Sequence, residues 1–263
     1  MYSPFQLAFK YLHYYLAASN GKGHGIHSPF VFDFIKHVLN DKKVYPAYLT
    51  VENRRRELCR NRKMIDVEDH GAGSSVLASN SRRISDIASS SLKPAKYGKL
   101  LFRIAKYYGV KEALELGTSF GVTTAYLSNG AEKVYTIEGS MAIAQVADDF
   151  FKEEGFNNIN LYVGTFEQKI SAVLQQVSSL DLAFIDGNHR YKPTLDHFEQ
   201  LKQFSHDGSI LIFDDIHWSR EMEAAWHVIR QDDAVTLTID LFFIGLVFFR
   251  KDFKRRQHFT IRF

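Results

Sequence analysis

Glu115-Leu116-Gly117-Thr118-Ser119-Phe120-Gly121 decides how the rest of the chain is read. The stretch closes an apolar run, Glu112–Leu116, and opens a helical pattern from Gly121 to Gly130. Its glycines and short side chains permit a tight turn and let backbone N–H groups approach a ligand. Glu138 ends the next apolar run, where a carboxylate can accept from two ribose hydroxyls. Alone, such a motif is a weak signal. Its place in a longer series of strand ends makes it a candidate nucleoside-cofactor site.

That series starts at Gly109. Strands are predicted at Glu112–Leu116, Lys133–Glu138, Ile159–Val163, Leu180–Asp186 and Ser209–Asp215, all apolar runs suited to burial on both faces. Helices are predicted between and after them at Gly121–Gly130, Met141–Glu154, Phe166–Val177, Thr194–Phe204 and Arg220–Gln231. Repeated βα units imply a parallel sheet with right-handed crossovers. Val235–Leu241 and Leu246–Arg250 leave no room for a helix between them and predict an antiparallel hairpin.

The first part of the chain reads differently. Pro4–Ala18 is predicted as an aromatic-rich helix, and Ser28-Pro29 as a helix start with serine as cap. Val31, Phe34, Ile35 and Val38 then share one face. Further helices are expected over Tyr48–Arg62 and Lys93–Tyr108. Gly21–Gly25 reads as a loop, and His24 and His27 find no further metal ligands near them in sequence.

Composition bounds the function. The 263 residues, 45% hydrophobic, suit one large α/β domain with an extension. A formal charge of +3 demands no nucleic-acid partner. One cysteine, Cys59, and no signal-peptide pattern predict a cytoplasmic protein. No apolar run reaches membrane-spanning length. The runs Arg54–Arg56 and Lys251–Arg256 read as solvated faces, and His258–Phe263 as a segment able to add a strand to a sheet edge or join a second copy.

In open α/β sheets ligands bind beyond the carboxyl ends of the strands. Those ends carry Gly117-Thr118-Ser119, Glu138, Gly164-Thr165-Phe166, Asp186-Gly187-Asn188-His189 and Asp214-Asp215. One carboxylate at a strand end is as readily a helix cap. Three such ends beside a glycine turn favour a site. Asp69–Ser74 mimics the glycine motif without a strand–turn–helix context, and reads as a turn or substrate-side loop.

Here the segment from about Lys93 to Arg250 resembles class I S-adenosylmethionine-dependent methyltransferases, in particular the metal-dependent catechol-type and macrolide-sugar-type O-methyltransferases. Their Glu-x-Gly-Thr-x-x-Gly, acid, Phe-Ile-Asp and Asp-Asn or Asp-Asp appear as Glu115–Gly121, Glu138, Phe184–Asp186 and Asp214-Asp215. Phe213–Ser219, Asp186–Arg190 and His24–Phe30 are also similar to methyltransferase-like proteins of Bacteroidetes-type bacteria. The resemblance implies an α/β, Rossmann-like class I methyltransferase fold. Its sheet would be mostly parallel and seven-stranded, with a C-terminal antiparallel hairpin. Residues 93–263 would form the cofactor-binding domain and 1–92 an N-terminal helical extension.

It also implies roles. Gly117, Thr118, Ser119 and Gly121 would meet the methionine end of S-adenosylmethionine, Glu138 its ribose, and Thr165 and Phe166 its adenine. Glu115 would orient the glycine loop. Asp186, Asp214 and Asp215 would hold a divalent ion, their oxygens suiting Mg²⁺ or Ca²⁺ better than zinc. Asp186 counts with the cofactor and catalytic residues as well. His189, three residues after Asp186, stands where those relatives have a lysine or histidine base. The implied activity is methyl transfer to a hydroxyl of a small molecule or sugar. Two alternatives stay open. An RNA-modifying methyltransferase would use the basic runs, but no Asn/Asp-Pro-Pro-Tyr and no cysteine follows the fourth strand. The other is a cofactor-binding protein without catalysis. A dehydrogenase is disfavoured because the motif lacks the three-glycine spacing. His217 and Trp218 either line the acceptor pocket or pack on the sheet edge.

Overall fold

The computed structural model describes residues 1–67 and 81–263. The Asp69–Ser74 reading lies outside them. In chain order the elements are α1 (Pro4–Ala17), α2 (Pro29–Phe34) running into a π-helical turn (Ile35–Leu39), α3 (Pro46–Arg60), β1 (Met64–Asp66), β2 (Ser81–Arg83), α4 (Ile84–Ser91) and α5 (Ala95–Tyr108). Then strands and helices alternate: β3 (Glu112–Leu116), α6 (Val122–Ser128), β4 (Lys133–Glu138), α7 (Met141–Glu153), β5 (Ile159–Val163), α8 (Phe166–Leu174), β6 (Leu180–Ile185), α9 (Tyr191–Lys202), β7 (Ser205–Asp214) and α10 (Arg220–Gln231). The chain ends with β8 (Leu237–Asp240), β9 (Ile244–Phe248) and β10 (Gln257–Thr260).

The fold is α/β with mainly parallel strand pairing and a C-terminal antiparallel hairpin, as the βα alternation predicts. The seven expected strands are β3 to β9, and β10 adds an eighth by pairing parallel to β8. Contacts group the chain into two compact units, residues 42–178 and residues 1–41 with 179–263.

In the first unit β3, β4 and β5 pair in parallel in that order. Their residues are apolar because helices cover them: Ala113, Leu114, Leu116, Val134 and Ile137 are fully buried. Phe102 of α5, Ala125 and Tyr126 of α6 and Phe150 and Phe151 of α7 share one apolar cluster with Tyr48 and Leu58 of α3. A short antiparallel ribbon, β1 with β2, and helix α4 were not expected from the sequence.

In the second unit β6 and β7 are parallel, and β9 runs antiparallel to both β7 and β8. Helix α1 starts on a reciprocal cap: Ser3 N–H donates to Gln6 Oε1 (2.9 Å) and Gln6 N–H to Ser3 Oγ (3.3 Å), with Pro4 at the first helical position. Its Tyr11 and Tyr14 pack on Phe242 at 5.1 and 5.2 Å between ring centroids. Ser28 precedes α2 as predicted but its hydroxyl makes no capping bond. Val31, Phe34, Ile35 and Val38 are all buried, the one-face pattern expected. Helix α10 is capped by Ser219 Oγ, which accepts from Met222 N–H (3.1 Å), with Glu221 and Glu223 in its first turn and Arg230 in its last.

Candidate active site

The glycine motif lies in the unit of residues 42–178. After β3 the chain turns so that Gly117 and Thr118 N–H both donate to Ile137 O of β4 (3.1 and 3.2 Å). Ser119 then takes a left-handed φ of 48°. That turn aims its N–H at Glu138 Oε2 (2.8 Å), while Ser140 N–H donates to Glu138 Oε1 (3.0 Å). Both carboxylate oxygens are thus fixed by backbone. Such fixation is what a site that must accept hydroxyl donors in one orientation needs.

Glu115 is fully buried beneath this loop. Its Oε2 accepts from Thr136 Oγ1 (2.7 Å) and from Thr124 Oγ1, and Thr136 Oγ1 lies 2.6 Å from Thr118 Oγ1. The carboxylate is knotted to β4, α6 and the loop, a position from which it shapes the turn. Gly121 opens α6 with φ +77°, and a Cβ there would lie 2.5 Å from the Phe151 ring. Only glycine satisfies both the dihedral and the close approach. Thr165 caps α8, its N–H donating to Gln168 Oε1 (3.1 Å), and Thr165 and Phe166 are half-buried.

The acidic set lies in the other unit. Asp186 follows β6, Asp214 ends β7, and both meet His189: one ligand atom from each lies within 4.8 Å of the others. His189 Nε2 is 3.5 Å from Asp186 Oδ1. Asp214 is buried, whereas Asp186 and His189 are partly open. The loop that brings His189 back turns at Asn188, whose φ is 57°. Asp215 is not part of this group. It too is left-handed, φ 53°, and its N–H donates to Phe243 O (2.6 Å). Non-glycine residues with positive φ are uncommon and gather at functional loops. Of the four such residues among those described, Ser119, Asn188 and Asp215 sit at predicted strand-end positions.

A second cluster was not legible in the sequence beyond His217 itself. His217 Nε2 lies 2.8 Å from Asp240 Oδ2 and its Nδ1 3.2 Å from Glu223 Oε1. Glu223 also accepts from Tyr2 OH (2.6 Å) and Lys10 Nζ (2.9 Å). Phe242, left-handed at φ 70°, stacks on the imidazole at 5.2 Å. The group borders an open cavity of about 660 Å³ also lined by Phe9, His13 and Tyr14. Burial disfavours the imidazolium, but the hydrogen bonds and charges of Asp240 and Glu223 outweigh it and raise the His217 pKa above its usual 6.5. The charged histidine therefore stabilises the fold fully below that value, and the contribution is lost as pH rises through the raised folded-state pKa. Thermal melts taken from about pH 6 to about pH 9 should fall more steeply for the wild type than for His217→Asn. Equal slopes would remove His217 as the group responsible.

Residues 114–216 match a family model described as a methyltransferase domain. No curated protein matches the chain. Among solved structures, the Bacillus cereus O-methyltransferase in complex with SAH is similar at 18% identity and TM-score 0.54, over 80% of this chain and 93% of that one. TomG, a Streptomyces achromogenes O-methyltransferase involved in tomaymycin synthesis, solved with SAM, gives 17%, TM-score 0.53, and 79% and 91%. The SAH-bound Podospora anserina methyltransferase PaMTH1 gives 13%, TM-score 0.59, and 85% and 97%. At these identities the likeness establishes the fold.

Proposed function

From the premise that residues 114–216 form a methyltransferase domain, we propose that this protein methylates a hydroxyl of a small-molecule acceptor, sugars included. S-adenosylmethionine would be the donor and a divalent ion would assist. The observation that carries this reading is the convergence of Asp186, His189 and Asp214. Support for the donor comes from the backbone-fixed Glu138 and the turn at Gly117–Gly121, and from the SAM and SAH held by similar structures.

The donor set fits a divalent ion. Two carboxylates and an imidazole each bring one ligand atom within 4.8 Å of the others, and a buried carboxylate such as Asp214 is costly unless a cation or hydrogen bonds offset its charge. Asp186 and Asp214 would hold Mg²⁺, whose positive charge would make the acceptor hydroxyl more acidic. Bound S-adenosylmethionine would supply a methyl group on a positively charged sulfur. Glu138 would accept from the ribose hydroxyls, and the Gly117–Ser119 backbone would orient the methionine end. His189 would take the acceptor's proton at Nε2 as the new O–C bond forms and the S–C bond breaks. With His189 kept as base, the ion's remaining contacts would come from water and the acceptor.

Calorimetric titration of S-adenosylmethionine and of Mg²⁺ into wild type and Asp214→Ala tests this. Micromolar cofactor binding by both proteins is expected, with Mg²⁺ bound by the wild type alone. Cofactor binding with no Mg²⁺ affinity in the wild type would favour a metal-free reaction or a protein that binds without catalysing. No cofactor binding by the wild type would end the proposal.

A further inference from the structure

Helix α1 is apolar on two faces. Leu7, Tyr11, Tyr14 and Ala18 pack on Phe242 and Phe243. The other face carries Phe5, Phe9, Leu12 and Leu16, which are 82%, 68%, 54% and 69% exposed. Their spacing of four, three and four residues is the a/d seam by which one helix packs along another. Gln6, Lys10 and His13 separate the two faces, and an apolar face of this extent on a helix is ordinarily covered. Here one side is bare.

The size of the bare side matters. Met1 (85% exposed) and Tyr15 (49%) border the four seam residues. With aromatic side chains offering about 150–250 Å² each, the six together present on the order of 800 Å², close to the ~800 Å² that each partner gives to a stable interface. Charge points the same way. No acid lies in the helix, and its one lysine, Lys10, is turned onto Glu223 (2.9 and 3.1 Å) and the Tyr2 ring (4.5 Å). Phe5, Phe9, Leu12 and Leu16 therefore carry no charge that would repel a copy, and the nearest cation, Arg262, is held at the border of the stripe over the Tyr15 ring (4.8 Å) and on Leu16 O (3.3 Å). A membrane-surface helix, by contrast, sets several Lys or Arg on its polar face, and this helix has none to spare.

We propose that α1 is a self-association surface. Two copies of the chain would pair through Phe5, Phe9, Leu12 and Leu16 about a two-fold axis, each residue meeting the same patch of its partner. The inference is independent of the transfer reaction.

Sedimentation velocity on the full chain, across a concentration series, tests it against Leu12→Glu/Leu16→Glu. Both positions are exposed and neither lines the cavity, so the variant should still unfold cooperatively, with a melting midpoint lower than the wild type's only by the share that association contributes. The wild type should sediment as a dimer of 30.3 kDa chains. The variant should be monomeric, with a dissociation constant raised at least about 100-fold. A monomeric wild type would overturn the proposal, as would a dimer of equal affinity in the variant. So would flotation of a monomeric wild type, but not the variant, with phosphatidylserine-containing vesicles, which would assign the face to a membrane surface instead.

Discussion

Gly121→Ala is expected to lower the melting midpoint by roughly 5–15 °C and to weaken cofactor binding in parallel. Two costs add. The backbone stands at φ +77°, where a side chain costs about 1–2 kcal/mol. The new Cβ would also lie 2.5 Å from Phe151 Cε1 and Cζ and 3.2 Å from the Ala147 Cβ. Phe151 cannot yield easily, because it is buried and packs on Phe150 and Phe156 at 5.9 and 6.2 Å. Overpacking of this kind costs about 1–3 kcal/mol more. Gly155 supplies the control: its φ is +70°, yet nothing lies within 4 Å of a Cβ built there. Gly155→Ala should therefore lose only the dihedral share. Differential scanning calorimetry on both variants separates the two costs, and equal losses would show that the Phe151 contact is unimportant.

His189→Ala should reduce kcat by about 10²–10⁴-fold, the usual worth of a positioned base. Cofactor affinity should not change, because the residues proposed for S-adenosylmethionine do not include His189. Mg²⁺ affinity decides between two roles for the same imidazole. As a base, His189 can be removed with little effect on ion binding. As a ligand beside Asp186 and Asp214, its loss should weaken the ion together with the rate. The cluster geometry permits either, since each residue contributes one atom within the same 4.8 Å. Steady-state kinetics read alongside an ion titration on the variant distinguish them, and an unaltered rate would remove His189 from the reaction.

Most of the βα alternation was legible because each strand is an unbroken apolar run stopped by polar residues. β3, β4 and β5 begin and end where the sequence places them. Segments that depend on distant partners were not. β7 begins at Ser205 rather than Ser209, through a register irregularity opposite Leu180–Leu182 that accommodates the polar His206–Gly208. Helix α4 lies in a serine-rich run to which the sequence pattern assigns no element. There the hydroxyls of Ser89, Ser90 and Ser91 bond back to the carbonyls of Ser85, Asp86 and Ile87, keeping the helix instead of competing with it. At the candidate site, the acids stood out because charge directly after a buried strand is unusual. The approach of Asp186, His189 and Asp214 agrees with that pattern, while the position of Asp215 outside the group depends on a left-handed turn that no local rule announces. The surroundings of His217 escaped entirely: its partner Asp240, and the Tyr2 and Lys10 that donate to its other partner Glu223, come from opposite ends of the chain.

The buried knot around Glu115 sets terms for how this chain can diverge. Thr124 and Thr136 donate to one carboxylate that has no exposure to water. Losing Glu115 takes the acceptor from both threonines, and losing either threonine takes one hydrogen bond from a buried charge, at about 1–3 kcal/mol. Replacing all three with apolar residues of similar shape strands none of them, and only Thr118, which pairs with Thr136 Oγ1 at 2.6 Å, loses a partner. Glu115, Thr124 and Thr136 should therefore be inherited as a unit. Lineages that abandon the carboxylate are expected to have exchanged both threonines with it, and a descendant holding a mixed set would be the rare and short-lived intermediate.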